Sequence, residues 1–286
     1  MIAIASPTHA PRRWLGLLFV FGLCHAGTTP AATLSHLLPP ASERTLSVAT
    51  LSLAGDRWSE RRDGVLALLT RLRPDVIALQ DVMQTPDIPN QACWLAAQLN
   101  YGCSFITADP PSRPRRVGNA LLTRLPIVAD AVTLLHPFEV ASTAGMVQLD
   151  LDGTAIDVYV THLYPDDANA PEESAAIRAA QVRNLLRWID VISGDTPALV
   201  VGDMAAAPES AELRPFTARY RNALPGTGPT MPAPVCAGEQ VYVRPPLRAQ
   251  SIQPITAEPG AGPEATHGLL ATIILTPEPA SAAPLN

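Results

Sequence analysis

Four side chains with acid–base or ligand chemistry stand at the edges of apolar runs. Ala198-Leu-Val-Val-Gly-Asp203 ends on a carboxylate, and so does Asp75-Val-Ile-Ala-Leu-Gln80-Asp81. Thr161-His162-Leu163 and Thr266-His267-Gly268 place imidazoles in similar settings. A rigid strand aims the group at its tip into a cleft. Carboxylates can hold a hard cation or orient water, and imidazoles exchange protons near neutral pH. Each residue also has a plainer reading. Asp203 can cap the turn that runs to Pro208, Asp81 can be a strand-end turn residue, and a strand histidine can be a satisfied core group. The Thr-His-Leu setting of His162 beside Gly202-Asp203 favours chemistry, and His267, weak alone, gains from the same context.

The elements that must position these groups follow from periodicity. Leu46–Leu53 alternates as a strand, and Arg57–Arg73 sets Val65, Leu66, Leu68, Leu69 and Leu72 on one helical side before Pro74. Asp75–Gln80 reads as a buried strand ending at Asp81, and Asn90–Leu99 as a second helix. Strands follow at Cys103–Thr107, Asn119–Thr123, Val128–Leu135 and Gly145–Leu151. Asp152-Gly153 is a two-residue hairpin signal, so Ala155–Leu163 pairs back antiparallel and carries His162 at its end. Glu172–Ile192 is a long amphipathic helix on which Arg178 and Gln181 share a face suited to tethering loops. After Pro208 the pattern is irregular until strands at Gln240–Arg244, Ser251–Ile255 and Leu269–Leu275. Strands with hairpins and interspersed helices predict packed sheets with helices outside, not a doubly wound parallel sheet.

Composition bounds the function. The chain is 47% hydrophobic and 16% charged, which allows a sizeable core. Residues 1–26 read as a secretory signal: Arg12 and Arg13, an apolar run from Trp14 to Leu23, and Cys24-His25-Ala26 as a cleavage site. The bulky Leu23 argues against lipidation of Cys24. Residues 27–44 read as a linker, 45–276 as the folded domain and 277–286 as a disordered tail. The expected location is periplasmic or extracellular, with no transmembrane segment in the mature chain, and a monomer is expected. All basic residues are arginine. Loss of Arg12 and Arg13 takes the formal charge from −6 to −8, a poor match for long nucleic acid, whose binding rests on phosphate neutralisation. Arg113, Arg115 and Arg116 form the one local basic cluster and read as a solvated loop. Export permits a disulfide. A Cys93–Cys103 bridge suits a helix running into the next strand, with Cys236 either free or an alternative partner.

Taken in order, the landmarks resemble the endonuclease/exonuclease/phosphatase superfamily. They are Val48-Ala-Thr-Leu-Ser52-Leu-Ala-Gly55, Pro74-Asp-Val-Ile-Ala-Leu-Gln80-Asp81-Val82, Gly118-Asn119-Ala-Leu-Leu-Thr-Arg-Leu-Pro-Ile127, Val160-Thr-His162-Leu163, Arg178-Ala-Ala-Gln181, Gly202-Asp203-Met-Ala205 and Thr266-His267. The resemblance spans nearly all of Leu46 to Leu275. It implies a four-layered α/β sandwich, two packed mixed β-sheets flanked by helices, with the cleft at one end of the sheets. It also implies hydrolysis of a phosphate ester with Mg2+ or Mn2+. In that reading Asp81 stands for the metal glutamate, one methylene shorter. Ser52 replaces an asparagine and contacts phosphate together with His162. Asp203 orients water, and His267, oriented by Glu239, exchanges the proton.

Departures from the pattern are as informative. Ala205 stands where the superfamily places asparagine, and Thr266 where it places an aspartate. Fewer anionic ligands imply weak or absent metal binding. Each lost transition-state contact costs roughly 10²–10³ in rate. The reading is an exported, metal-dependent phosphoesterase of weakened activity acting on a small-molecule or lipid phosphodiester. The alternative is an inactive member of the same fold serving as a binding or scaffold module. A serine hydrolase is disfavoured, since no Gly-x-Ser-x-Gly elbow occurs.

Overall fold

The computed structural model describes residues 43–53, 57–140, 142–223, 238–256 and 267–276, without the side chains of Thr256 and His267. The expected leader (1–26), most of the linker (27–44), Cys236, Thr266 and the tail (277–286) lie outside the described residues.

Two six-stranded mixed sheets pack face to face. The first has the order β11 (Leu247–Thr256), β12 (His267–Leu275), β1 (Arg44–Ser52), β2 (Val76–Gln84), β4 (Arg116–Thr123), β3 (Gly102–Ile106). The second has the order β5 (Ile127–Leu135), β6 (Ser142–Leu151), β7 (Thr154–His162), β8 (Ala198–Asp203), β10 (Glu239–Val243), β9 (Arg221–Asn222). Each sheet has one parallel pair at its centre, β1 with β2 and β7 with β8, and antiparallel neighbours elsewhere. A parallel pair brings two C-terminal ends side by side. Ser52 thus pairs with Gln80, one residue before Asp81, and His162 pairs with Asp203.

The sandwich has four layers. Val48, Val76, Ala78 and Leu121 of the first sheet meet Val147, Val158, Val160 and Val201 of the second in the central core. Helices α1 (Trp58–Leu72) and α2 (Gln91–Leu99) cover the outer face of the first sheet through Val65, Leu69, Ala92 and Leu95. Helix α3 (Pro171–Ser193) and the short α4 (Arg214–Thr217) cover the second, with Val182, Leu185, Ile189 and Phe216 against Tyr159, Val200 and Tyr242. The central strands are apolar on both faces because both are covered. Burying each such side chain stabilises by about 1.5–3 kcal/mol.

Local chemistry sets the boundaries. Asn90 caps α2 by accepting the Cys93 amide at 2.9 Å, and α3 starts with Pro171 followed by Glu172 and Glu173, which suit a helix N-terminus. Asp152 and Gly153, with φ of 51° and 83°, form the hairpin turn that joins β6 to β7. A Cys93–Cys103 disulfide ties α2 to β3.

Two strand expectations need correction. β2 does not end at Asp81; its register against β4 shifts between Leu79 and Val82, Asp81 sits in the bulge at φ 55°, and the strand continues to Gln84. The bulge preserves the exit of the Asp81 side chain while pairing resumes beyond it. The stretch after Pro208 is not irregular throughout. It forms a 3-10 turn at Ala211–Leu213, then α4 and β9, all too short to show a period.

Candidate functional site

The C-terminal ends of β1, β7 and β8 and the bulge in β2 bring four of the singled-out residues together. Ser52 donates its hydroxyl to Asp81 Oδ2 at 2.5 Å. His162 lies between the two carboxylates, with Nδ1 3.3 Å from Asp81 Oδ1 and Nε2 3.7 Å from Asp203 Oδ2. Asp81 remains 43% exposed at its side chain, so it faces the cleft. Asp203 accepts the Ala205 amide on Oδ1 at 2.7 Å, which leaves Oδ2 for His162 and the solvent side.

The backbone under these groups is specialised. Gly202 has φ 140°, and a Cβ there would run into the Thr161 carbonyl oxygen of the paired strand. Only glycine lets β8 approach β7 closely enough to set Asp203 beside His162. Ala205 has φ 50° and Asp81 φ 55°, so two of the non-glycine residues in the left-handed region belong to this cluster. Such strain concentrates at functional sites.

Charge follows from the geometry. Burial lowers the affinity of His162 for its proton, but the Asp81 hydrogen bond and the charges of Asp81, Asp203 and Glu239 outweigh it and raise its pKa above 6.5. For Asp81 burial pushes upward, while the hydrogen bond and charge of His162 and the Ser52 hydroxyl win and lower it. Each partner thus favours the charged form of the other, imidazolium against carboxylate.

Glu239 sits behind the cluster. It is 6% exposed and accepts the Thr50 hydroxyl on Oε2 at 2.6 Å. Gln80, with its amide oriented to suit its neighbours, donates to Glu239 Oε1 at 3.1 Å and to the Leu51 carbonyl at 3.0 Å. Burial, reinforced by the charges of Asp203 and Asp81, pushes the Glu239 carboxyl up to about 8 against the Thr50 bond and His162. Thr50 and Gln80 were not singled out from sequence. Both alternate inward on strands beside Ser52 and Asp81, a signal that apolar runs hide.

His267 opens β12 one residue before Gly268, which pairs with Leu51 of β1, so its backbone lies at the same end of the first sheet. Its side chain, and with it the expected contact to Glu239, lies outside the described residues. Asn119 donates to the Thr143 carbonyl at 3.0 Å and bridges the sheets. Arg178 and Gln181 tether loops. Arg178 reaches Glu212 at 3.0 Å, Asp166 at 3.2 Å and the Tyr164 carbonyl, and Gln181 accepts the Tyr164 amide at 2.8 Å.

Two hollows meet at His162. One of about 510 Å³ is lined by Asp81, Asn119, Thr143 and His162 and extends past Arg113, Val117 and Leu134. The other, of about 440 Å³, is lined by Asp203, Ala205 and Gly238. The cleft-facing donors are oxygens, two carboxylates and a hydroxyl, beside one imidazole. That set fits a hard cation such as Mg2+, which accepts one or two carboxylates and completes its shell with water. Among the described residues no group of three or more His, Cys, Asp or Glu side chains is placed to hold a metal ion, so the carboxylates and water would have to complete the shell.

Comparisons with known proteins bear on the family and the fold. The family model described as "Endonuclease/Exonuclease/phosphatase family" matches residues 48–266. No curated protein matches the chain by sequence. Among solved structures, an endonuclease/exonuclease/phosphatase from Bacteroides vulgatus superposes with a TM-score of 0.64 at 18% identity, covering 81% of this chain and 99% of that one. The human Nocturnin catalytic domain with bound sulfate gives 0.64 at 20% identity, covering 80% and 93%. ANGEL2, described as a 2',3'-cyclic phosphatase, gives 0.64 at 14% identity, covering 84% and 98%. At these identities the structures share the fold.

Proposed function

The chain belongs to the endonuclease/exonuclease/phosphatase family, and on that premise we propose that it is an exported phosphoesterase of weakened activity, acting on a small-molecule or lipid phosphodiester with a divalent cation. The observation that carries the reading is His162 held between Asp81 and Asp203 at the junction of two hollows. An Mg2+ or Mn2+ ion would be held by the Asp81 carboxylate beside Ser52 and would polarise a phosphoryl oxygen and stabilise the leaving group. The His162 imidazolium supplies a fixed positive charge for the phosphate. Asp203, anchored at Oδ1 by the Ala205 amide, keeps Oδ2 to orient the attacking water. His267 exchanges the proton of the leaving group, with Glu239 as a buried acid behind it. Ala205 offers no polar side chain to the phosphate, which is the source of the weakened rate. The Cys93–Cys103 disulfide supports export, since such bonds persist in oxidising compartments. Among the described residues no helix is long and apolar enough to cross a membrane.

A second reading, a non-catalytic binding module, is supported by the engagement of both Asp81 oxygens by Ser52 and His162. One assay separates the two. Metal-stripped protein is mixed with bis-p-nitrophenyl phosphate, with and without Mg2+ or Mn2+. Cation-dependent release of nitrophenol that disappears in Asp203→Ala, His162→Ala and His267→Ala supports the enzyme. A flat trace for the wild type supports the binding module.

A further inference from the structure

The larger hollow has two unlike halves. Its inner half is polar and belongs to the cluster at Asp81 and His162, with the Asn119 amide and Thr143 behind them. Its outer half carries Ala108, Val117, Leu134 and Pro165 beside the Asp109–Arg113 ion pair, whose charges are matched to each other. Val117 and Leu134 are 36% and 39% exposed, high for apolar side chains on strands of a well-packed sandwich. They come from different sheets, Val117 from β4 and Leu134 from the edge strand β5, so both sheets contribute apolar side chains to the one cleft.

Register fixes how far this wall stands from the cluster. Ala144 pairs with Thr161, and Thr143 pairs with Leu134. Leu134 is therefore two strands over from the end of β7, about 10 Å at the usual strand spacing. That is a short aliphatic chain's reach from a phosphorus atom seated at His162.

The same lining argues against a nucleotide arm. Among the described residues no Phe, Tyr or Trp lines this hollow, so a base would find no stacking platform. One guanidinium, Arg113, reaches it, and that group is already paired with Asp109. A polyanionic backbone would need several cations.

We propose that the outer half of this cleft is a specificity subsite for an aliphatic arm of the phosphoester, with Val117 and Leu134 as its determinants. The proposal rests on the phosphoesterase reading and narrows its substrate to esters with a flexible alkyl portion. Burying each further methylene against such walls strengthens binding up to about fourfold until the cleft is filled.

The test uses non-hydrolysable ligands. Dissociation constants of n-alkyl phosphonates, methyl through octyl, are measured by calorimetry on the full chain with Mg2+ present, alongside the methylenephosphonate analogue of adenosine monophosphate. The expected result is a two- to fourfold gain per methylene that levels off, and a nucleotide that binds no better than methyl phosphonate. In Val117→Ser/Leu134→Ser the slope flattens while methyl phosphonate affinity is kept. Both positions are partly exposed, and an unchanged Tm shows that the variant is folded. A flat series in the wild type, a preference for the nucleotide, or an unaltered slope in the folded variant overturns the subsite alone. Failure of every phosphonate to bind overturns the phosphoesterase reading with it.

Discussion

The Thr50 hydroxyl donates to Glu239 Oε2 at 2.6 Å, a bond that runs from β1 of one sheet to β10 of the other directly beneath the site cluster. It places a carboxyl group in the sandwich interior with three charged neighbours, Asp203, His162 and Asp81. The interior therefore carries a proton-dependent joint.

That joint has a defined pH signature. The Glu239 carboxyl titrates near 4.5 when the chain is unfolded and near 8 when folded. The folded state holds a proton that the unfolded state has released between those values. The contribution of this group to stability is full below about 4.5 and is lost as pH rises to about 8. Glu239→Gln keeps an acceptor for Thr50 and removes the titration. The variant should lose at least about 1 kcal/mol of the wild type's pH dependence across that window, one pKa unit's worth. Urea denaturation at pH 5 and pH 8 measures it. An identical pH dependence in both proteins would show that Glu239 is not the responsible group.

The Asp81–His162 pair gives a different window. The Asp81 contribution is present above 3.8 and fades as pH falls through its lowered folded value. The His162 contribution is full below 6.5 and fades as pH rises through its raised folded value. The stability gap between wild type and Asp81→Asn should therefore be widest between about pH 4 and 6.5 and narrow on both sides. NMR titration of the His162 imidazole should show a midpoint above 6.5 that drops in the variant.

Ala205 invites a gain rather than a loss. At φ 50° an alanine methyl costs about 1 kcal/mol or more, a conformation that asparagine and glycine tolerate better. Ala205→Asn and Ala205→Gly should both raise stability by about 1 kcal/mol. Only the asparagine variant restores a polar group to the turn after Asp203, so only it should raise phosphodiester turnover, by tenfold or more. Equal turnover in both variants would remove Ala205 as the cause of a weakened rate.

Much of this arrangement can be read from the sequence, and the exceptions share a cause. Apolar runs mark β1, β2, β7 and β8, strand tips mark His162 and Asp203, and Asp81 shows where the apolar run of β2 breaks, because burial and strand ends leave one-dimensional traces. Ser52 joins them through parallel pairing that only the fold reveals. The continuation of β2 past Asp81 depends on a bulge, a pairing property with no periodic signal. Thr50, Gln80 and Glu239 form a polar group between sheets, and the residues are far apart in the chain. The apolar cleft mouth joins Val117 and Leu134 from different sheets, so neither position alone announces it.

The loops that frame the site hang on one buried cation. Arg178 is 5% exposed at its side chain and bonds Glu212 in the turn after β8, and Asp166 and the Tyr164 carbonyl in the loop after β7. Glu212 is itself 11% exposed, so removing the guanidinium strands a carboxylate with little access to water. Breaking such a pair costs about 3–5 kcal/mol, of which solvent access at Asp166 returns little. Arg178→Met keeps the apolar stem of this α3 residue and deletes the charge. It should destabilise by about 3 kcal/mol and raise amide exchange first at residues 163–170 and 205–213, where its partners lie. The double variant Arg178→Met/Glu212→Gln should recover part of that loss, because the stranded charge is gone too. A double variant no more stable than the single one would mean that Arg178 acts through packing, and the loops would then be held by the Gln181 bond to Tyr164 instead.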